Sequence, residues 1–289
     1  MITVFTPTYN RGYIIHKLYA SLLNQTDKNF EWLVVDDGST DDTERYFARL
    51  LQQNNPFPLR YVKQENGGKH RAINRGVAAA KGEIFFIVDS DDCLSADAIE
   101  KIQLWVKGLD GSRKFAGVAG LRCYNDEKTI GGAGAGAGGY VDAKNTERKK
   151  YNLLGDKAEA YFTDVLRKYP FPEFEGEKFL SEEAVWNKIA ADGYYLRWYS
   201  EKIYYTEYLC DGLTKAGDKY AKNPLGTLFW ARRQLEIFRD KRTRMAAIKR
   251  YYFAVKGKKS VGEIAGDLGV SKGLLNLTRF LAFLKGCRS

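Results

Sequence analysis

The 289-residue chain contains no run of about eighteen apolar residues, the length at which a segment becomes a candidate membrane-crossing helix. Its opening residues, Met1-Ile2-Thr3-Val4-Phe5, enter a strand pattern at once, with no charged leader and no small-residue cleavage site. These two absences predict a cytoplasmic protein. Cysteine is sparse as well. Cys93, Cys123, Cys210 and Cys287 stand apart in no paired spacing, which argues against a disulfide framework or a zinc site and predicts free thiols. Residues 1–218 lack any basic excess, holding 29 Lys+Arg against 32 Asp+Glu, whereas 219–289 hold 17 against 4. The net charge of +10 is therefore a tail of +13 on a body of −3. With 44% hydrophobic residues, the chain has enough apolar surface for one large core, or a core with a smaller appendage.

What is present centres on Ile84-Phe85-Phe86-Ile87-Val88, an apolar run that reads as a strand buried on both faces and leads directly into Asp89-Ser90-Asp91-Asp92. Carboxylates this close repel one another and resist desolvation, so they persist most easily where a divalent cation or several donors neutralise them. Hard oxygen ligands suit Mg²⁺ or Mn²⁺ holding a phosphate. The plainer alternative is an acidic surface turn before a helix starting near Ser95. Upstream, Ile2 to Thr6 reads as a strand broken at Pro7, followed by a polar loop and a helix carrying Ile14, Leu18, Leu22 and Leu23. Phe30 to Val35 repeats the pattern, running into Asp36-Asp37-Gly38-Ser39-Thr40 and a helix with Tyr46, Phe47, Leu50 and Leu51. Arg60 to Val62 is a third strand, and the glycine-rich loop Gln64 to Arg71 precedes a helix expected over 72–80. Such alternation predicts an α/β fold whose sheet is mixed, mostly parallel and flanked by helices, with ligand loops at the carboxyl ends of its strands.

Taken together, "VFTPTYNR", "WLVVDDGSTDDT", "NGGKHRAINRGVAAAKGE" and "IFFIVDSDD", in this order and spacing, resemble the family 2 glycosyltransferases. These are inverting enzymes of GT-A (Rossmann-like) fold that use nucleotide-diphospho-sugars. The resemblance covers roughly residues 1–215 and implies a catalytic domain with a nucleotide-sugar half over about 1–110 and an acceptor half over about 111–215. It implies a UDP-linked donor, a hydroxyl of a glycan or lipid-linked acceptor, and a divalent cation, Mn²⁺ or Mg²⁺. By position, Asp37 corresponds to the carboxylate on the base, with Asp36 beside it, and Asp89, Ser90 and Asp91 to the ribose and diphosphate contacts. Asp91 and Asp92 correspond to the metal ligands. Thr6, Pro7, Thr8, Tyr9, Asn10 and Arg11 at the first strand end, and Gly67, Gly68, Lys69 and Arg71 in the glycine loop, would line the nucleotide-sugar.

In the acceptor half, "SEEAVWNKIA" resembles the family's helix that begins with the catalytic base. Glu182 falls four residues before Trp186 and is expected on the inner face, with Glu183 as the alternative. A merely N-capped helix with two acids in its first turn is the competing reading. Asp211-Gly212-Leu213-Thr214 resembles the family's loop over the diphosphate. The Gly/Ala run 131–139 has almost no side chain to pack and is expected to be a mobile loop. The region 216–289 reads as basic helices, the last with Leu274, Leu277, Leu281 and Leu284 on one stripe. Two readings stand for it: attachment to the anionic inner face of a membrane, or a helical cap on the domain. Residues 260–281 also imitate a helix-turn-helix, but the second helix is too apolar to read bases, which disfavours a nucleic-acid partner.

Overall fold

The computed structural model describes residues 1–134, 139–207 and 217–286. Its strands are β1 (Ile2–Thr8), β2 (Phe30–Asp36), β3 (Leu59–Lys63), β4 (Ile84–Ile87), β5 (Cys93–Leu94), β6 (Phe115–Tyr124), β7 (Tyr140–Ala143), β8 (Lys157–Phe162) and β9 (Tyr195–Thr206). Among the described residues they form one sheet in the order β3-β2-β1-β4-β8-β6-β9-β5, with β7 also paired to β9. β3, β2, β1 and β4 are parallel, as the strand and helix alternation predicts. β8 then enters antiparallel between β4 and β6, and β5 and β7 run antiparallel to β9. The sheet is therefore mixed, and the mixing is confined to the half after β4.

Every residue of β1 and β2 is buried because helices cover both faces of the sheet. Ile2, Val4, Trp32, Val34 and Phe86 share a core with Leu18 and Leu22 of α1 (His16–Leu23) and Phe47 and Leu50 of α2 (Thr43–Leu50). On the other face Phe5 stacks on Phe85 at 4.8 Å, and α3 (Lys69–Ala79) lies over it. Contact there is close enough to require glycine, since a Cβ on Gly76 would stand 2.2 Å from the Phe5 ring. α3 starts three residues earlier than the periodicity predicts, so Lys69 and Arg71 belong to its first turn. The physical reason is Gly68, whose φ of 96° lets the chain enter the helix directly from the glycine loop. α4 (Ala98–Lys107) and α5 (Thr163–Lys168) complete this unit, which comprises Met1–Pro170 and Ile189–Leu209.

The first glycines of the Gly/Ala run are packed rather than loose. Gly132 and Gly134 donate their N–H groups to the carbonyls of Leu154 (2.9 Å) and Asn152 (3.0 Å), and a Cβ on Gly131 would meet the Leu154 oxygen at 2.0 Å. Small residues are needed here for close backbone approach. Residues 135–138 lie outside the described set, as does Asp211 to Thr214.

The second unit comprises Phe171–Lys188 and 210–289. The division falls inside α6 (Glu183–Ala191), and the stretch that the sequence groups with the acceptor half thus associates with the C-terminal helices. These are α7 (Lys219–Lys222), α8 (Pro224–Ile237), α9 (Lys241–Val255), α10 (Val261–Leu268) and α11 (Lys272–Gly286). The buried Glu177 carboxylate accepts from the N–H groups of Leu225 and Gly226, both at 2.7 Å, at the start of α8, where the macrodipole favours a negative charge. Asn223 Oδ1 accepts from the backbone of Lys178 and Phe179. α10 opens with a Ser260–Glu263 capping box and ends at Gly269 in the left-handed region. No helix among the described residues is long and apolar enough to cross a membrane.

Candidate active site

Parallel register sets the site. β1 pairs Thr8 with Asp36 of β2 and Phe5 with Ile87 of β4, so the loops after the three strands leave the sheet at one edge. Thr6 and Pro7 are still within β1, where Thr6 Oγ1 accepts from the Trp32 indole at 3.0 Å. The loop from Tyr9 to Gly12 is fastened to the loop after β2. Asn10, at a φ of 52°, accepts from the Thr40 N–H at 2.8 Å and donates its own N–H to Ser39 Oγ at 2.9 Å. Gly12 donates to Asp41, whose carboxylate also accepts from Thr43. Thr8 is buried, and among the described residues its Oγ1 has no hydrogen-bond partner.

Asp36 and Asp37 are both buried and both occupied by the protein. Asp36 accepts from the Ser39 N–H at 2.8 Å and from the Tyr61 hydroxyl, whose ionisation burial and then this carboxylate suppress. Asp37 holds the glycine loop: it accepts from Gly67 N–H (2.8 Å), Gly68 N–H (2.7 Å) and Gln64 Nε2 (2.8 Å), with Asn66 Nδ2 at 3.3 Å. Arg71 reaches back to the Gly67 carbonyl at 2.8 Å. In this arrangement Asp37 organises the backbone that the sequence reading places against the nucleotide.

The acidic strand end is a charge cluster with unequal members. Asp89 is clamped by Lys69 Nζ at 2.6 Å and Arg122 at 3.4 Å. Burial opposes its ionisation, but these two cations outweigh that and hold its carboxyl down at about 2. Asp92 is 4% exposed and accepts from the Tyr204 hydroxyl at 2.7 Å, with Arg122 at 3.6 Å. Burial, followed by the charge of Asp89, pushes it up to about 7 despite Arg122. Asp91 is partly exposed, its nearest ion-pair partner is Arg11 Nε at 4.0 Å, and burial and then Asp89 raise its carboxyl as well. The pair that the sequence reading gives to a metal thus divides, with Asp92 tied into the interior and Asp91 at the edge. Ser90 is buried beside them, and Tyr9 is exposed at the rim.

Two residues of this cluster escape the sequence reading. Arg122 lies in β6 and stacks over the Tyr204 ring at 3.9 Å. Tyr204 in β9 both donates to Asp92 and accepts from the Asp89 N–H at 2.9 Å. A single Arg at the end of the apolar run "FAGVAGLRCY" is the signal that could have located it, because a guanidinium enters such a strand only with a buried partner.

In the second unit the two candidate bases differ. Glu182 is half-buried in the turn before α6, its carbonyl accepting from the N–H groups of Val185 (3.0 Å) and Trp186 (3.1 Å). Glu183 is exposed, yet its Oε2 accepts from the Trp230 indole at 2.9 Å, and Arg250 lies over that ring at 4.0 Å.

Residues 3–112 match Glycosyl transferase family 2. Glycosyltransferase GlyG of Streptococcus pneumoniae is 39% identical over 111 residues, covering 38% of this chain and 36% of GlyG. Chondroitin synthase of Escherichia coli is 38% identical over 102 residues, covering 35% of this chain and 14% of that protein. The matched stretch therefore spans about a third or less of these relatives. Among solved structures, S. aureus TarS in complex with UDP-GlcNAc superposes with a TM-score of 0.66 at 20% identity, covering 96% of this chain and 87% of that one. The mannosyltransferase PcManGT of Pyrobaculum calidifontis, in complex with GDP-Man and Mn²⁺, gives 0.57 at 19% identity, covering 98% and 84%. At these identities the two structures establish a shared GT-A fold.

Proposed function

Because residues 3–112 match Glycosyl transferase family 2, we propose that this chain transfers a sugar, with inversion, from a nucleoside-diphospho-sugar to a hydroxyl of a glycan or lipid-linked acceptor. The observation that carries the reading is the clamped acidic cluster at the end of β4, on the sheet edge where β1 also ends with the partnerless buried Thr8 hydroxyl. An orphaned polar atom of that kind suits a ligand that supplies the missing hydrogen bond. The ligands of the two structural neighbours, UDP-GlcNAc and GDP-Man, support the donor class.

The residues also fit a divalent cation, provided that the donor brings it. Among the described residues no three His, Cys, Asp or Glu side chains form a metal cage. Asp91 is a raised, weakly paired carboxylate at the rim of the cluster. Mg²⁺ and Mn²⁺ commonly sit on one or two carboxylates plus substrate phosphates, a donor set that Asp91 and a diphosphate would provide. Such a cation offsets the negative charge on the departing diphosphate. The chain's own share is to hold the nucleotide against the Asp37-organised loop and to keep Lys69 and Arg11 near the phosphates. In transfer the acceptor hydroxyl attacks the anomeric carbon opposite the leaving group, and Glu182 takes its proton as the bond forms.

A thermal-shift screen of UDP-, GDP- and TDP-sugars, each with Mn²⁺ or with EDTA, tests this reading. A matching donor at a hundred times its dissociation constant stabilises the fold by roughly 2.7 kcal/mol, and EDTA is expected to reduce the shift. If no nucleotide-sugar moves the melting point, the donor assignment fails. An equal shift in EDTA would remove the cation and leave the rest.

A further inference from the structure

α11 has apolar residues on two sides. Leu275 and Thr278 are buried against the unit, while Leu277, Phe280, Leu281 and Leu284, spaced i, i+3, i+4 and i+7, point the other way. Phe280 is 59% exposed and the adjoining Phe283 69%, unusual values for phenylalanine on a folded surface. The stripe continues onto α9. Arg279 lies over the Tyr252 ring at 5.1 Å, Tyr252 packs edge-on to Phe253 at 5.2 Å, and Phe253 is half exposed with Lys249 and Lys256 each 5.8 Å from its ring. An apolar strip is thus bordered by lysine and arginine.

The C-terminal stretch that carries it is strongly basic. Residues 219–289 carry only four acids, and each is engaged locally: Glu236 with Arg233, Asp240 with the Thr243 N–H, Glu263 in its capping box, and Asp267 with Tyr251 and Lys259. Seventeen Lys and Arg face those four. We propose that the outer face of α11, with Phe253 of α9, seats on an anionic lipid surface, the helix lying in the plane of the headgroups. A second copy of this chain is a poorer occupant, because apposing two such faces brings the same positive surplus against itself. Nucleic acid is also a poorer one. α10 and α11 do have helix-turn-helix order, but the outer side chains of α11 are Leu and Phe, which form no hydrogen bonds to base edges.

The test uses the full chain and vesicles, with neither donor nor acceptor, so its outcome is separate from that of the transferase reading. Co-sedimentation is measured with phosphatidylglycerol–phosphatidylcholine vesicles, with phosphatidylcholine alone, and with the mixed vesicles in high salt. Partition is expected to fall about tenfold or more when either the anionic lipid or the low ionic strength is removed. F280S/F283S is expected to lose about tenfold or more while melting like the parent, since both side chains are exposed; K249Q/K256Q is expected to lose roughly fivefold per charge. Equal partition onto zwitterionic vesicles, or parent-like binding by F280S/F283S, overturns the proposal. So does a concentration-dependent dimer that the same double variant abolishes, or a DNA gel shift in a protein that ignores vesicles.

Discussion

At the residue scale, Glu182 and Glu183 are neighbours in sequence with different surroundings, and each has a distinct expected phenotype. Glu182→Gln removes the proton acceptor of the proposed reaction, so kcat is expected to fall about a hundred- to ten-thousand-fold while nucleotide affinity holds. Glu183→Gln keeps an oxygen for the Trp230 indole and is expected to stay near the parent rate. Steady-state kinetics on both variants decide between them, and the reverse ranking would move the base to Glu183. The one-turn spacing to Trp186 was legible in the sequence, whereas the indole that engages Glu183 stands 47 residues away and left no local trace. The acidic strand ends were equally legible as a cluster, since burial and proximity follow from the strand pattern. Which carboxylate is clamped was not, because Arg122 is 33 residues from Asp89 and Tyr204 is 112 from Asp92.

At the element scale, β8 begins with a buried lysine. Lys157 is 1% exposed and donates to the carbonyls of Ile130 (3.0 Å), Leu154 (3.0 Å) and Asp156 (3.3 Å). Burial, and then Arg148, lowers its ammonium from 10.5 to about 8. The folded state therefore binds this proton less tightly than the unfolded chain does. The penalty is full below pH 8 and is relieved as pH rises from about 8 towards 10.5, a gain on the order of 3 kcal/mol from this group. Urea titrations across that window are expected to show a steeper rise for the parent than for Lys157→Met; parallel slopes would refute it. Helix and strand periods located β1, β2, β4 and the helices between them. They missed the start of α3, where a glycine's positive φ overrides side-chain pattern, and most of β9, whose polar Arg197, Ser200 and Lys202 hide a twelve-residue strand. Composition reports the missing side chains of the run 131–134 and says nothing of the backbone that Gly131, Gly132 and Gly134 pack against.

At the scale of the whole molecule, a chain cut after residue 215 would keep Phe171–Lys188 without the helices it associates with. Glu177 would lose the α8 amides and Glu183 the Trp230 indole. Such a truncation is expected to retain nucleotide binding, lose transfer, and bind a hydrophobic dye through its exposed apolar surface; a compact, active fragment would show instead that 1–215 is self-sufficient. The same sheet also constrains synthesis. Among the described residues β9 is the last strand, yet it pairs with β5, β6 and β7, and it begins 71 residues after β6 ends. At roughly 5–20 residues per second, the ribosome leaves those partners with open edges for on the order of ten seconds, while β1 to β4 have already been made. The nascent chain at that stage has an acidic cluster that still lacks Tyr204, and β5, β6 and β7 lack their common neighbour until β9 arrives.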